Sequence, residues 1–407
     1  MEVKVENNGM FAGVRIIELA QYVYVPGGSV LLADQGAEVI HVETPGTGDP
    51  YRSLRVGDGR ETSSVNLAME QNNRGKKSIA LDLKSKDGRD ALLALIRTAD
   101  VFLTSLRPKA LRSLHLDPED LWAVNPKLIY VRGNGLGFRG PEAGKPGFDA
   151  SAFWARGGMA YVMSPPGQPL TTPRAALGDH SGSMALAFGI AGALFRREKT
   201  GKGTLVETSL LATAVWMLSS DVTYSQVPGY VAHNPDRNRF PLMAAYRTRD
   251  DRMLQLMLLD PRPYWPGLCQ ILGLDELVED PRFVDNPARM RNGAALVKLI
   301  GEKIAQRDWA EWKPIFDAWD APWELIRTIH EIATDPQVIA NDMLFELTVE
   351  DGTKVRVVAG PVAFDGHNAP EVPRASPGLG AHTDELLRSV GYSDEAISVL
   401  KAKRVAQ

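Results

Sequence analysis

Residues 13–43, GVRIIELAQYVYVPGGSVLLADQGAEVIHVE, decide the fold class. GVRIIELA (13–20) is a β-branched apolar run, YVPGGS (24–29) is rich in turn formers, and SVLLADQGA (29–37) reads as a helix. EVIHVE (38–43) is then a second strand, so the stretch forms one strand–helix–strand unit. Downstream the alternation repeats. KSIALDL (77–83), DVFLTSL (100–106) and KLIYVRG (127–133) are strands, separated by KDGRDALLALIRTA (86–99) and DPEDLWAVNP (117–126) as helices. Short strands alternating with helices of this length predict an α/β fold with a mostly parallel sheet and right-handed crossovers.

Farther along, the pattern changes. From about Pro228 to Asp342 the chain carries Trp- and Pro-rich helical pieces such as RDWAEWKPIFDAWDAPWELI (307–326). TKVRVVAGPVAFDG (353–366) returns to strand patterning, and HTDELLRSVGYSDEAISVLKAKRV (382–405) predicts two closing helices with acids in their first turns. The expected division is a large domain from 1–227 with 343–407 and a small domain over 228–342. A length of 407 residues suits two such domains.

Composition narrows the function classes. Apolar residues make up 44% and charged residues 24%, as in a soluble globular protein. A net charge of −4 provides no broad positive field for nucleic acid. No apolar stretch approaches the roughly 20 residues of a membrane helix. The opening MEVKVENNGMFAGVR has no signal-peptide core, so a cytoplasmic protein is expected. Cys269 is the sole cysteine, which excludes an internal disulfide, a CxxC pair and a Cys-based zinc site. The seven histidines are scattered without metal-ligand spacing, so no metal is expected.

Several stretches admit two readings. GNGLGFRG (133–140) follows a strand and suits either a phosphate cradle or a plain turn. Arg74, Lys76 and Lys77 in NNRGKKSIALD suit either a phosphorylated cofactor or a solvated strand entry. Trp154, Met159, Tyr161 and Met163 suit either an apolar substrate wall or core. Asp179 opens the long apolar run of ALGDHSGSMALAFGIAGALFRREKTGKG (176–203), as a helix N-cap or as a nucleophile. Gly178 and Gly182 leave it open on both sides. Met184 to Phe195 lacks a polar face, so that helix is expected to be buried. Its positive end is expected to keep Asp179 ionised, and its N–H groups to hold an oxyanion.

Four long blocks carry a resemblance. GVRIIELAQYVYVPGGSVLLADQGAEVIHVETPGTGDPYR (13–52), NNRGKKSIALDLKSKDGRDALLALIRTADVFLTSLRPKALRSL (72–114), GDHSGSMALAFGIAGALFRREKTGKGTLVETSLLAT (178–213) and RASPGLGAHTDELLRSVGYSDEAISVLKAKRV (374–405) resemble the family III CoA-transferases. The resemblance implies a Rossmann-like large domain, a small domain, and two copies threaded as an interlocked homodimer. It implies that acyl-CoA and a small carboxylic acid are the substrates and that no cofactor is permanently bound. It matches Asp179 to the aspartate that becomes a mixed anhydride and then an aspartyl-CoA thioester. It matches Gln21 to a glutamine lining the active site. Lys76 and Lys77 match a basic pair near the CoA nucleotide, with Arg74 beside them, and Arg112 matches a CoA-binding arginine. Ser105 and Leu106 replace the usual Asn-Phe pair. The formyl-CoA member's glycine-rich gating loop has no counterpart in PDRNRFPLMAAYRTRDDRM (235–253), where Arg237 and Arg239 are candidates to face an acceptor carboxylate. Two other readings stand beside transfer. An α-methylacyl-CoA racemase needs a histidine where GFDASAF (147–153) has Phe148, and a non-catalytic CoA-binding protein would not need Asp179.

Overall fold

The computed structural model describes residues 9–54, 65–232 and 240–407. The chain divides into two compact units, one running to Tyr230 and resuming over Pro336–Gln407, the other Val231–Asp335. The first unit is built on six parallel strands: β1 (Arg15–Leu19), β2 (Glu38–Glu43), β3 (Lys77–Ala80), β4 (Val101–Thr104), β5 (Ile129–Asn134) and β6 (Leu205–Ser209). Their order is β3-β2-β1-β4-β5-β6. That order reverses between β1 and β4, and in such sheets ligands bind outside the carboxyl ends of the strands at the reversal.

Alternation along each strand divides the core into two layers. Ile17, Ile40, Ile79, Phe102 and Tyr130 pack with Leu92 and Leu95 of α3 (Lys86–Ile96) and with Leu386, Leu387 and Leu400 of the closing helices. On the opposite face, Ile16, Val39, Val101, Leu103 and Ile129 pack with α1 (Tyr24–Ala33) and with Leu186 and Ile190 of the helix Leu177–Thr200. The remaining helices up to that one are α2 (Leu67–Asn73), α4 (Pro108–Leu114), α5 (Pro118–Val124) and α6 (Met159–Met163), so Leu177–Thr200 is α7, followed by α8 (Leu210–Met217).

Three expectations change. First, α1 begins at Tyr24 rather than Ser29, so the PGG stretch is helix and not turn. Pro26 is tolerated in a first turn. Gly27 and Gly28 are there for close approach: added Cβ atoms would lie 2.6 Å from Ser183 Oγ and 3.0 Å from Leu186 Cβ of α7. Second, α7 is not buried on every side. Gly182, Ser183, Leu186 and Ile190 face the core, while Met184, Phe188 and Phe195 are exposed, Phe188 at 82%. Third, Trp154 and Met159 belong to the core, whereas Tyr161 and Met163 lie on the surface. GNGLGFRG closes as a turn, with Gly137 N donating to Asn134 Oδ1 at 2.6 Å and Asn134 Nδ2 to Gly137 O at 2.8 Å.

The second unit carries a three-stranded antiparallel sheet of Ala245–Arg247, Met253–Leu256 and Trp323–Leu325. Its Trp-rich run is structural: Trp312 and Phe316 are buried, and Trp309, Trp319 and Trp323 pack against them. Arg237 and Arg239 lie outside the described residues. In the first unit, Leu344–Thr348 and Lys354–Val358 form a hairpin, and Thr383–Ser389 and Asp394–Ala402 are the closing helices. Among the described residues no helix is long and apolar enough to cross a membrane.

Candidate active site

The start of α7 answers whether Asp179 is a cap. Ala176 precedes the helix in a left-handed conformation (φ 61°) and has no side chain to cap with. The cap comes from elsewhere. Asp149, opening the π-helical segment Asp149–Arg156, accepts from Gly178 N at 3.2 Å and 3.1 Å, and also from the Asp179 amide. His180 N donates to Ala176 O at 2.9 Å. The Gly178 and Asp179 amides are thus committed to Asp149 and that of His180 to Ala176, so the expected backbone oxyanion site is filled by Asp149.

Asp179 is left with a carboxyl that takes no hydrogen bond among the described residues. Burial, followed by the like charge of Asp149, pushes it up to about 7. The expectation that the helix would simply keep it ionised is therefore corrected: desolvation and a neighbouring carboxylate outweigh a dipole worth at most ~2 kcal/mol. Near neutrality Asp179 is shared between both forms, and its carboxylate is poorly solvated. The flanking glycines also serve a different end from the expected one. A Cβ on Gly178 would lie 2.3 Å from Phe153 and 2.4 Å from Asp149 Oδ1, and one on Gly182 would lie 2.3 Å from the Tyr24 ring. They admit the neighbours that build the site.

Aromatic side chains border it. Tyr22 (φ 67°) stands edge-on to Tyr51 at 6.4 Å and to Phe148 at 5.4 Å between centroids. Tyr51 packs in a small cluster with Val23, Met69 and Ala176. Its hydroxyl is pushed up to about 12 by burial and then by Asp179. Asp49 fixes this patch by accepting from Tyr22 N at 3.2 Å and 3.1 Å and from Tyr51 N at 2.9 Å. His180 Nε2 lies 3.1 Å from Asn72 Oδ1, while Asn72 Nδ2 donates to Ala68 O, so Nε2 carries the proton. Burial and then Arg74 lower the His180 pKa, favouring the neutral ring.

The other expected site residues fall in three places. Gln21 and Ser105 meet where the strand order reverses, Gln21 N donating to Ser105 Oγ at 3.1 Å, with Leu106 N donating to Thr104 Oγ1 at 3.1 Å. Arg112 on α4 is exposed and forms no ion pair among the described residues. Lys77 is half-buried and bonds Glu38 at 2.9 Å and Glu385 at 2.7 Å. Arg74 and Lys76 are corrections: both are buried and committed. Arg74 makes a two-point pair with Asp34 at 3.0 Å and 2.6 Å. Lys76 Nζ donates to Glu18 at 2.8 Å and to Pro26 O and Asn73 Oδ1 at 3.0 Å each. A buried ammonium with three acceptors cannot turn outward to a phosphate without stripping buried Glu18 of its Lys76 partner.

Sequence reasoning missed Asp149, Asp49, Tyr22, Tyr24 and Tyr51. A readable signal existed for Asp49, since Asp-Pro in TGDPYR is an N-cap followed by Pro at the first helical position. Asp149 caps a helix 29 residues away, which no local pattern reveals.

The geometry can now be set beside known proteins. Residues 11–383 match the family model of CoA-transferase family III. The chain is 32% identical over 402 residues to (R)-2-hydroxy-4-methylpentanoate CoA-transferase of Clostridioides difficile, covering 98% of this chain and all of that protein. It is 34% identical over 401 residues to cinnamoyl-CoA:phenyllactate CoA-transferase of Clostridium sporogenes, covering 97% of each. Among solved structures, Rv3272 from Mycobacterium tuberculosis superposes with TM-score 0.80 at 29% identity over 92% of this chain and 98% of that one. A CaiB/BaiF family protein from Brucella suis gives 0.79 at 27% identity, covering 94% and 100%. A parallel sheet of this order, a family match running through nearly the whole chain, and the two CoA-transferases it resembles end to end make this chain a member of the family III CoA-transferases, and an enzyme of that class.

Proposed function

We propose that this enzyme moves CoA from an acyl-CoA to a small carboxylic acid with Asp179 as the nucleophile. The observation that carries the proposal is the half-buried Asp179 carboxyl, which takes no hydrogen bond among the described residues, on a helix capped by another residue. A carboxylate freed from water and held at about 7 attacks better than an ordinary hydrated one. An Asp179 oxygen bonds to the thioester carbonyl carbon, the C–S bond breaks, and CoA leaves as thiolate, giving a mixed anhydride. The thiolate attacks the aspartyl carbonyl, releasing the donor acid and forming an aspartyl-CoA thioester. The acceptor carboxylate attacks that thioester, and the thiolate then takes the acceptor acyl group, which restores Asp179. Each step exchanges one acyl bond for another, so neither ATP nor a permanently bound cofactor enters the balance.

Gln21, Ser105 and Leu106 mark the CoA cleft in this reading, because they lie at the reversal of strand order. Arg112 is the free cation for a CoA phosphate. Lys77 is a lesser contact, and Arg74 and Lys76 shape the cleft from inside the fold. Tyr22, Tyr51 and Phe148 form the acyl wall. An aromatic wall suits a branched or aromatic acid better than a small dicarboxylate, in keeping with the names of the two Clostridium-group relatives. A second copy covers the exposed apolar side chains Met184, Phe188 and Phe195 of α7 and Trp216 and Met217 of α8, as an interlocked homodimer. The cytoplasm, where acyl-CoA is made and used, is its compartment. Racemisation is disfavoured because Phe148 offers no base where that chemistry needs a histidine.

The test is a mass-spectrometric screen of acyl-CoA donors against carboxylic acids, in deuterated water. The expected result is a new acyl-CoA only when an acceptor acid is present. Deuterium uptake at the α-carbon without acceptor, or CoA binding without exchange for any pair, would overturn the proposal.

A further inference from the structure

The scheme above uses the rings of Tyr22, Tyr51 and Phe148 but not the carboxylate behind them. Asp49 is buried after β2 and opens the short turn Pro50–Arg52. A cap of that turn needs one bond, and Tyr51 N supplies it by donating to Oδ1 at 2.9 Å. Asp49 does more than cap. It reaches across to the end of β1, where Tyr22 N is shared between its two oxygens at 3.2 Å and 3.1 Å. On its other side, Oδ2 faces His41 Nε2 at 3.6 Å, and Nδ1 of that ring lies 2.6 Å from Glu18, which Lys76 holds at 2.8 Å. Asp49 N donates to Glu43 Oε1 at 2.9 Å, so backbone and side chain are both pinned.

Tyr22 needs such a hold. Its φ of 67° is left-handed, a conformation that a bulky residue keeps only where its surroundings impose it. In that conformation its ring meets Tyr51 and Phe148 edge-on. Phe148 adjoins Asp149, which bonds Gly178 N, and Tyr51 packs with Ala176, the residue before α7. Both contacts lead to the start of α7. Resting on the transferase reading, we propose that Asp49 is a positioning residue which, anchored by His41, locks Tyr22 in its left-handed conformation and so sets which acyl groups the wall accepts. A large acyl group depends on the ring's placement for its contact area, whereas an acetyl group has little surface to gain from it. Burial lowers the His41 pKa, but Asp49, Glu18 and Glu43 outweigh it and hold the ring at about 9, so a cation backs Asp49 near neutral pH.

Three variants test this. Asp49→Ser keeps one oxygen to cap Tyr51 N but loses the carboxylate that spans Tyr22 N and His41. In hydrogen exchange, its Tyr22 amide should exchange about tenfold faster or more than in wild type, with the β1 amides of Ile16 and Ile17 unchanged. The ratio of kcat/KM for phenylacetyl-CoA to that for acetyl-CoA, measured with one acceptor acid, should fall about tenfold. Asp49→Asn keeps an oxygen for both amides and an NH₂ that a neutral His41 can accept from, so both readouts should return to within about threefold of wild type. Tyr22→Gly adopts φ 67° freely, and should copy the fall in the ratio with the ring gone. An unchanged Tyr22 exchange rate in Asp49→Ser overturns the proposal, as does an equal loss with both donors, which assigns Asp49 to folding alone. Asp49→Asn as impaired as Asp49→Ser, or Tyr22→Gly with the wild-type ratio, is equally contrary. The exchange measurement needs no substrate, so absence of CoA transfer would sink the transferase reading while exchange still decides the hold on Tyr22.

Discussion

Two clusters of ionisable side chains, one buried and one half-buried, sit beside the same parallel sheet, and they are built on opposite principles. At the ends of β1 and β2, Glu18 accepts from Lys76 at 2.8 Å, contacts His41 Nδ1 at 2.6 Å and takes a bond from Ser29. Glu43 accepts from Arg52 through both oxygens at 2.7 Å and from Ser78 at 2.5 Å. Burial pushes Glu18 up, yet Lys76 and His41 overcome it and hold the carboxyl at about 2. Burial lowers His41, and Asp49, Glu18 and Glu43 outweigh it to hold the ring at about 9. Every charge there has an opposite. At the start of α7, Asp179 is half-buried, and the charge that acts on it is another carboxylate, Asp149. Pairing makes the first cluster inert and structural, whereas Asp179 lacks an opposite charge, which is what the proposed nucleophile requires.

The largest expected effect breaks the second cluster. Asp179→Asn should lower CoA transfer by about 10⁴-fold or more, as loss of a nucleophile does. The same variant should be more stable than wild type at pH 8 and no more stable at pH 4. The sign follows from the raised value: the folded state holds the Asp179 proton more tightly than the unfolded chain, so the penalty grows as pH rises from about 4 and is complete above about 7. Unfolding midpoints at the two pH values check this. Breaking the first cluster should do the converse. Lys76→Met takes the ammonium from buried Glu18 and leaves it only His41 and Ser29, and should cost about 3 kcal/mol in urea unfolding.

Smaller effects sharpen the contrast. The kcat/KM profile should fall about tenfold per pH unit below about 7, where Asp179 takes up its proton. Arg112→Ala should raise the KM for acyl-CoA about three- to tenfold with kcat unchanged, the loss of one charge-assisted contact. Lys77→Ala should change that KM by less than about twofold, because Lys77 is already engaged by Glu38 and Glu385.

The same contrast explains what was legible in the sequence. The strand–helix alternation from Gly13 to Gly133 reads directly, because a two-residue period and a buried β-branched run are local properties. Asp179 was legible as a candidate only with a helix cap as its rival reading, and the family resemblance brought the nucleophile forward. The residue that caps its helix was not, since Asp149 reaches α7 from a π-helical segment far off in sequence. Arg74, Lys76 and Lys77 look alike as a string, and only the sheet separates them: Arg74 and Lys76 are sealed inside by acids on other elements, and Lys77 is left at the rim. Gly27, Gly28, Gly178 and Gly182 read as flexibility or openness, and in three dimensions each admits a neighbouring side chain. The exposed apolar face of α7 could not be told from core, because Met184, Phe188 and Phe195 have the composition of an interior.

The most direct test of the central claim is chemical. Incubating the enzyme with an acyl-CoA donor and hydroxylamine, then mapping the digest by mass spectrometry, should find the hydroxamate on Asp179 alone, and none without donor. Efficient CoA transfer with an unmodified Asp179 peptide, or with the hydroxamate on another carboxylate such as Asp149, would contradict the account.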